Sequence, residues 1–459
     1  MLVRLRTCCA VAALLVSAGA STPAGAETLT DALSQAYQYN PQLLAQRAQL
    51  RATDEGVPQA LSGWRPTVQF TGSAGKEETE TKQPATSGGS VNQHLTPTSL
   101  DLNITEPIWT SGRTPALVRQ AEHNVIAQRA QTVATEEQVL FSVAQAYLDV
   151  VRDQATVDLN INNEQVLRRQ LEATNDQFRV GEVTRTDVAQ AESRLALAVA
   201  TRVQAEGNLQ VSRANYYRAV GHLPEHLSQP TERVQLPDTR DEALALARAQ
   251  NPNVVIADYT AKAAEDNVAA TRAQLGPQVA IVGDLNKSDE TLQQHRDVNS
   301  ASVIARLTVP LYEAGSIYAQ TRAAKQTVYQ RRDLLDDARR AAIQSATRDW
   351  ETIQSGRAQV QSLQSTIRAA AIALEGVRQE AQVGSRTVLD VLNAEQELFT
   401  DRVNLVQAQH DLAVAEFDLA QQVGRLTAEY MKLPVQLYDP KTHYDEVRNK
   451  WIGFGSKGQ

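Results

Sequence analysis

Residues 383–395 read VGSRTVLDVLNAE, and residues 180–192 read VGEVTRTDVAQAE. Gly181, Thr184, Asp187, Ala191 and Glu192 recur in order as Gly384, Thr387, Asp390, Ala394 and Glu395. The chain is therefore written twice, and the fold must be one that two copies of a single plan can build. Working outward, Pro107, Trp109 and Gly112 match Pro310, Tyr312 and Gly315 at the same offset of 203 residues. Val220-Gly221 and Val423-Gly424 close each half. Upstream, Asn40-Pro41 and Pro66 match Asn251-Pro252 and Pro277 at an offset of 211. The first half thus carries a short insertion between Pro66 and Pro107, within KEETETKQPATSGGSVNQHLT (76–96). That stretch is polar and shows no apolar period, so it reads as an exposed loop.

Each half has one grammar: helix, strand pair, two very long helices. Residues 28–63 carry a helical period, with Leu29, Leu33, Ala36 and Tyr37 on one face, until Pro66 breaks it. Helices are expected over 114–177 and 186–220, and in the second half over 241–275, 316–383 and 387–423. At 1.5 Å per residue the longest span roughly 100 Å each, and the two shorter helices of a half, stacked end to end, match one long helix. That geometry makes a tube wall rather than a globule.

Between the helices sit four strand candidates. Thr67–Ala74 alternates strictly, as does LDLNIT at 100–105. Val279, Ile281 and Leu285 share one face, as do Val303, Ala305, Leu307 and Val309. Each is about the length that a tilted strand needs to cross a bilayer. Trp64, Trp109 and Tyr312 stand at strand–helix junctions, where an interfacial aromatic girdle lies. An ordinary soluble sheet with buried aromatics is the alternative. Four strands cannot close a membrane barrel, for which about eight is the minimum, so membrane strands here imply an oligomer.

The bulk composition excludes other classes. Arg4 and Arg6, the apolar run 8–20 and Ala24-Gly25-Ala26 read as a secretory signal peptide, with a mature chain from Glu27. Both cysteines, Cys8 and Cys9, fall in that leader, so no disulfide or thiolate site is expected. A net charge of −8 offers no basic patch for nucleic acid. Aromatics make up 5%, thin for a large globular core, while Ala and Gln suit close-packed long helices. No stretch after the leader approaches a membrane helix, which leaves a β-barrel open. The seven histidines are scattered, no phosphate-binding loop is present, and no enzyme activity, cofactor or metal is expected.

With these motifs the chain resembles the TolC family of outer-membrane efflux and secretion proteins over residues 27–426; VGSRTVLDVLNAE is the most specific of them. The resemblance implies a mainly α chain with a membrane β part. Three copies would share a twelve-stranded barrel, four strands per chain, continued by a long periplasmic α-helical barrel. It implies a location in the Gram-negative outer membrane, among its lipids, with a periplasmic extension. It also implies a passive exit duct for a type I secretion or multidrug efflux system, partnered by a periplasmic adaptor and an inner-membrane pump of the ABC or RND class. The layout would be a signal peptide at 1–26, repeats at 27–230 and 231–426, and a tail at 427–459. The tail and the link 222–238 would lie in an equatorial belt. The tail looks like the type I secretion branch.

By the same resemblance, Thr186, Asp187 and Arg386 match polar pairs that hold the family's periplasmic entrance shut. Asp390 matches a constriction-ring carboxylate, and Gly181 and Gly384 mark hairpin tips that dock the adaptor. Two positions depart from the pattern: Ala381 stands where a tyrosine is expected, and Asn393 where a second ring aspartate is. A looser lock and a less negative ring follow. Thr184-x-x-Asp187 and Thr387-x-x-Asp390 also read as helix capping boxes, and the two roles can coexist. The competing identity is a periplasmic adaptor, which would carry one hairpin between β-rich domains rather than two copies with embedded strand pairs.

Overall fold

The computed structural model describes residues 27–82, 90–229, 234–291 and 295–455. The expected signal peptide with Cys8 and Cys9, and part of the 222–238 link, lie outside the described residues.

The Asn-Pro pairs decide how each repeat begins. The helix expected over 28–63 is three helices, α1 (Leu29–Tyr39), α2 (Pro41–Asp54) and α3 (Gly56–Leu61), followed by a 3₁₀ turn at Ser62–Trp64. The first break falls at Asn40, because a residue before proline is pushed out of the helical region and Pro41 lacks an N–H. Asn40 Oδ1 accepts from Gln42 N at 2.9 Å, while its Nδ2 donates to Ala219 O at 3.0 Å. The second repeat does the same. Asn251 accepts from Asn253 N at 2.9 Å and donates to Gln422 O at 3.0 Å. One amide therefore starts a helix and ties it to the end of a long hairpin.

Two helical hairpins follow the same plan. In the first, α4 (Arg113–Arg179) turns into α5 (Arg185–Val220). In the second, α6 (Arg240–Gln250) and α7 (Pro252–Arg272) precede α8 (Ser316–Gln382), which turns into α9 (Val388–Gln422). Both α4 and α8 have 67 residues, about 100 Å at helical rise. The stacking of α1 and α5 beside α4 is visible at Tyr147, midway along α4. It is fully buried with Leu29, Leu33, Tyr216 and Val220, and its hydroxyl lies 2.6 Å from Ser228 O.

The sheet is antiparallel in the order β1 (Thr67–Ala74), β4 (Thr98–Trp109), β5 (Gln278–Asp289), β6 (Asp297–Thr308). Its register sorts the two faces. Val68 pairs with Ile104, Phe70 with Leu102, Leu285 with Leu102 and Ala301, and Ile281 with Ala305. The opposite face carries Gln69, Thr71, Asn103, Asp101, Asp284 and Asn286. One face is apolar and exposed, the other polar, as for a sheet between lipid and water. A bulge at Ile108, next to Pro107, re-aims the end of β4. All four strands meet their helices at the same end, where Trp64, Trp109 and Tyr312 are exposed.

Two expectations change. The 76–96 insertion contains a two-stranded hairpin, β2 (Glu77–Lys82) with β3 (Ser90–Leu95). Backbone pairing, not an apolar period, makes these strands. The tail after Leu426 does not stay in one belt. Ala428 N donates to Glu136 at 2.8 Å, Tyr438 N to the Tyr37 hydroxyl at 3.0 Å, and Arg448 to Glu122 at 3.0 Å. His443, on α10 (Thr442–Val447), meets Asp54 at 3.1 Å. Arg65 Nη1 then donates to Lys450 O at 2.8 Å. The tail climbs along α2 and α4 to the base of the sheet.

Candidate channel entrance at the hairpin tips

The far ends of the hairpins are built by glycine. Gly181 and Gly384 hold φ of +83° and +78°, the left-handed conformation that ends a helix. Behind each, an N–H reaches back five residues: Glu182 to Gln177 O at 2.9 Å, and Ser385 to Glu380 O at 3.0 Å. The following helix starts on a reciprocal cap. Asp187 accepts from Thr184 N at 2.9 Å and its hydroxyl at 2.7 Å, and Asp390 from Thr387 N at 3.0 Å and its hydroxyl at 2.8 Å. Both are complete capping boxes. The Thr184 hydroxyl and N–H hold Asp187 below the usual carboxylate range. The Thr387 N–H and hydroxyl do the same for Asp390, with Arg386 adding to it. Both carboxylates are charged at neutral pH.

Arg386 is exposed, and its Nε donates to Glu380 Oε2 at 2.8 Å, within its own hairpin. Thr186 is exposed at the second position of α5, one residue before the capping Asp187. Within one chain, therefore, Arg386 and Asp390 share the second tip, while Thr186 and Asp187 sit on the first. The hairpins converge just behind the tips. Leu392 of α9 is buried with Leu167 of α4 and Ala191 and Ala198 of α5. Arg194 of α5 donates to Asn393 Oδ1 of α9 at 2.9 Å. Asn393 thus ties one hairpin to the other. Arg378 and Glu395 pair within the second hairpin.

Sequence reasoning missed Glu380 and Arg194. A polar residue on a long, polar helix carries no periodic signal that names its partner. It also missed the acidic pair Glu136-Glu137, adjacent in sequence and placed under the start of the tail. Burial, joined by the neighbouring Glu136 charge, pushes Glu137 up to about 9, while Leu426 N–H bonds to it.

Among the described residues no group of His, Cys, Asp and Glu is placed to hold a metal, and no helix is long and apolar enough to cross a membrane. The exposed apolar face of the described chain is on the four-stranded sheet. The chain carries two hairpins, one per repeat, and that duplication disfavours the single-hairpin adaptor reading.

Known proteins agree with this geometry. The profile of the family described as Outer membrane efflux protein matches residues 32–222 and 243–425. The chain is 35% identical to the outer membrane efflux protein BepC of Brucella suis over 448 residues, 96% of this chain and 95% of that one. It is 26% identical to the outer membrane protein TolC of Vibrio cholerae, over 91% and 95% of the two chains. The solved outer membrane protein VceC of Vibrio cholerae superposes with a TM-score of 0.76 at 21% identity, over 86% of this chain and 96% of that one. The chain belongs to the outer membrane efflux protein family and is an outer-membrane channel of the TolC type.

Proposed function

We propose that three copies of this chain close one twelve-stranded barrel and one helical tube. Together they form the passive exit duct of a tripartite secretion or efflux assembly. The observation that carries this reading is the sheet: four strands, one face apolar and the other polar, with β1 and β6 at its two edges. Four strands are about half the minimum for a membrane barrel, so closure needs other chains. Energy comes from an inner-membrane pump of the ABC or RND class, coupled through a periplasmic adaptor that docks at the tips around Gly181 and Gly384. Cargo choice rests with the pump, since a duct supplies a path rather than a chemistry.

In this reading Thr186, Asp187, Arg386 and Asp390 set the resting state of the entrance. The complete caps and the Arg386–Glu380 pair support a firm tip, and the Arg194–Asn393 bond supports hairpins held in one arrangement. Opening then requires the hairpins to part. Symmetry would bring three Asp390 carboxylates around one axis and favour cations there. Planar-bilayer recordings of Arg386→Ser test the lock: a raised single-channel conductance is expected, and an unchanged one removes Arg386 from it.

A further inference from the structure

Three of the four tryptophans in the chain, Trp64, Trp109 and Trp451, come to the helix end of the sheet; the fourth, Trp350, packs between helices. Trp451 arrives there from the opposite end of the sequence. Its ring lies over the Arg65 guanidinium at 5.0 Å, and Arg65 also donates to the Lys450 carbonyl. Arg65 follows Trp64 and stands two residues before the first residue of β1. Residues 452–455 stand clear of the helices. Ile452 is 90% exposed and Phe454 is fully exposed. Gly453, at φ +116°, bends the chain, and the Lys450 ammonium donates to the Gly455 carbonyl. The result is a short apolar hook with two cations at its root.

The repeats show that this hook is not part of the duplicated plan. The second-repeat residues equivalent to Trp64-Arg65 are Leu275-Gly276, which offer neither a cation nor a ring. The tail is drawn to the first repeat by Arg65, as it is lower down by Arg47, which stacks on Tyr37 and Tyr438 at 4.5 and 5.0 Å.

We propose that residues 451–454 form a membrane-interface anchor, seating Trp451, Ile452 and Phe454 in the headgroup–acyl boundary of the periplasmic-side leaflet. Arg65 and Lys450 face the lipid phosphates. Exposed apolar side chains are stabilised wherever they leave water. Here the side chains stand level with the edge of a membrane sheet, and Trp with Lys or Arg is the composition of that layer. The Arg65–Trp451 contact fixes the height, so the hook works as a collar rather than a free tether. The inference rests on the barrel reading above.

Depth measurement tests it. The native cysteines, Cys8 and Cys9, both precede Glu27, and wild-type protein labelled in parallel gives the background. Single cysteines replace Ile452, Phe454, Leu437 and Val303, each with an environment-sensitive fluorophore, in channel reconstituted into phosphatidylethanolamine–phosphatidylglycerol vesicles. Leu437, beside Tyr37, sits roughly 40 Å below the junction along the helices. Val303 lies on the apolar face of β6. Lipids spin-labelled near the headgroup should quench Ile452→Cys and Phe454→Cys severalfold more than Leu437→Cys. Quenching no stronger than at Leu437, with Val303→Cys quenched, overturns the anchor and leaves the barrel standing. Val303→Cys is read with lipids spin-labelled along the acyl chain, and absence of that quenching overturns the barrel reading first. A label at 452 or 454 that neither spin-labelled lipid nor a water-soluble quencher reaches means that a second copy covers the hook, and also overturns the proposal.

Discussion

Helices α4 and α8 are the same length and occupy the same place in their repeats, yet α4 buries 23 of its residues and α8 only nine. The difference is one of neighbours. Against α4 lie α1, α2, α3, α5, α7, α9 and the tail, whereas among the described residues α8 packs mainly against α6, α7 and α9. One copy of the plan became the spine of the protomer and the other its edge. Tyr318, Tyr329, Leu334 and Ile372 stand exposed along that edge, beyond what a lone solvated helix needs. In the trimer reading a neighbouring copy covers this surface, as it pairs the free strands β1 and β6.

The largest test compares truncations on the two helices. Leu140→Ala, in the fully buried core of α4, should cost roughly 2–5 kcal/mol of protomer stability. Ile372→Ala, on the exposed part of α8, should leave the protomer melt unchanged and lower the temperature at which the SDS-resistant trimer dissociates. Equal losses in the protomer melt would erase the distinction between spine and edge.

A smaller effect compares the buried acids. Burial raises Glu137 of α4 to about 9, and Asp349 of α8 to about 6 despite the nearby Arg348. An acid whose folded pKa is raised binds a proton that the unfolded chain releases, so stability falls as pH climbs from the unfolded value to the folded one. The window runs from 4.5 to about 9 for Glu137 and from 3.8 to about 6 for Asp349. Glu137→Gln should therefore stabilise by about 1–3 kcal/mol at pH 8 and have little effect at pH 4. Asp349→Asn should gain less, with its gain complete near pH 6. Melting curves across pH check both, and a Glu137→Gln gain that does not grow with pH would contradict a buried neutral acid.

The smallest effect is local and should be equal in the two repeats. Thr184→Ala and Thr387→Ala each remove one side of a capping box and should cost about 1 kcal/mol at a helix start. Faster amide exchange confined to the first turn of α5 or α9 is the expected signature. An unequal response would mean that one tip is held by something beyond its cap.

The repeat, the long helices and the Thr67–Ala74 strand were legible because each rests on local chemistry: a fixed-offset motif, an uninterrupted helical period and strict alternation. The two tip caps were legible for the same reason, since Thr-x-x-Asp acts over one turn. The Asn40-Pro41 break was written just as plainly, but the apolar period running through it suggested one helix. The β2–β3 hairpin left no apolar trace, because EETETK pairs through its backbone and buries little. Partners such as Glu380 for Arg386, or Arg194 for Asn393, belong to helices whose polar faces all look alike in one dimension.

By itself the sequence determined the elements, their duplication and the need for more than one chain, because periodicity, proline, glycine and strand count act locally or by arithmetic. Only the tertiary structure decided which repeat became the spine, where the tail runs and which polar groups meet. Those outcomes depend on long-range packing, where Arg65 finds a tryptophan nearly four hundred residues away in the chain and Glu137 loses its water to a turn formed by Leu426.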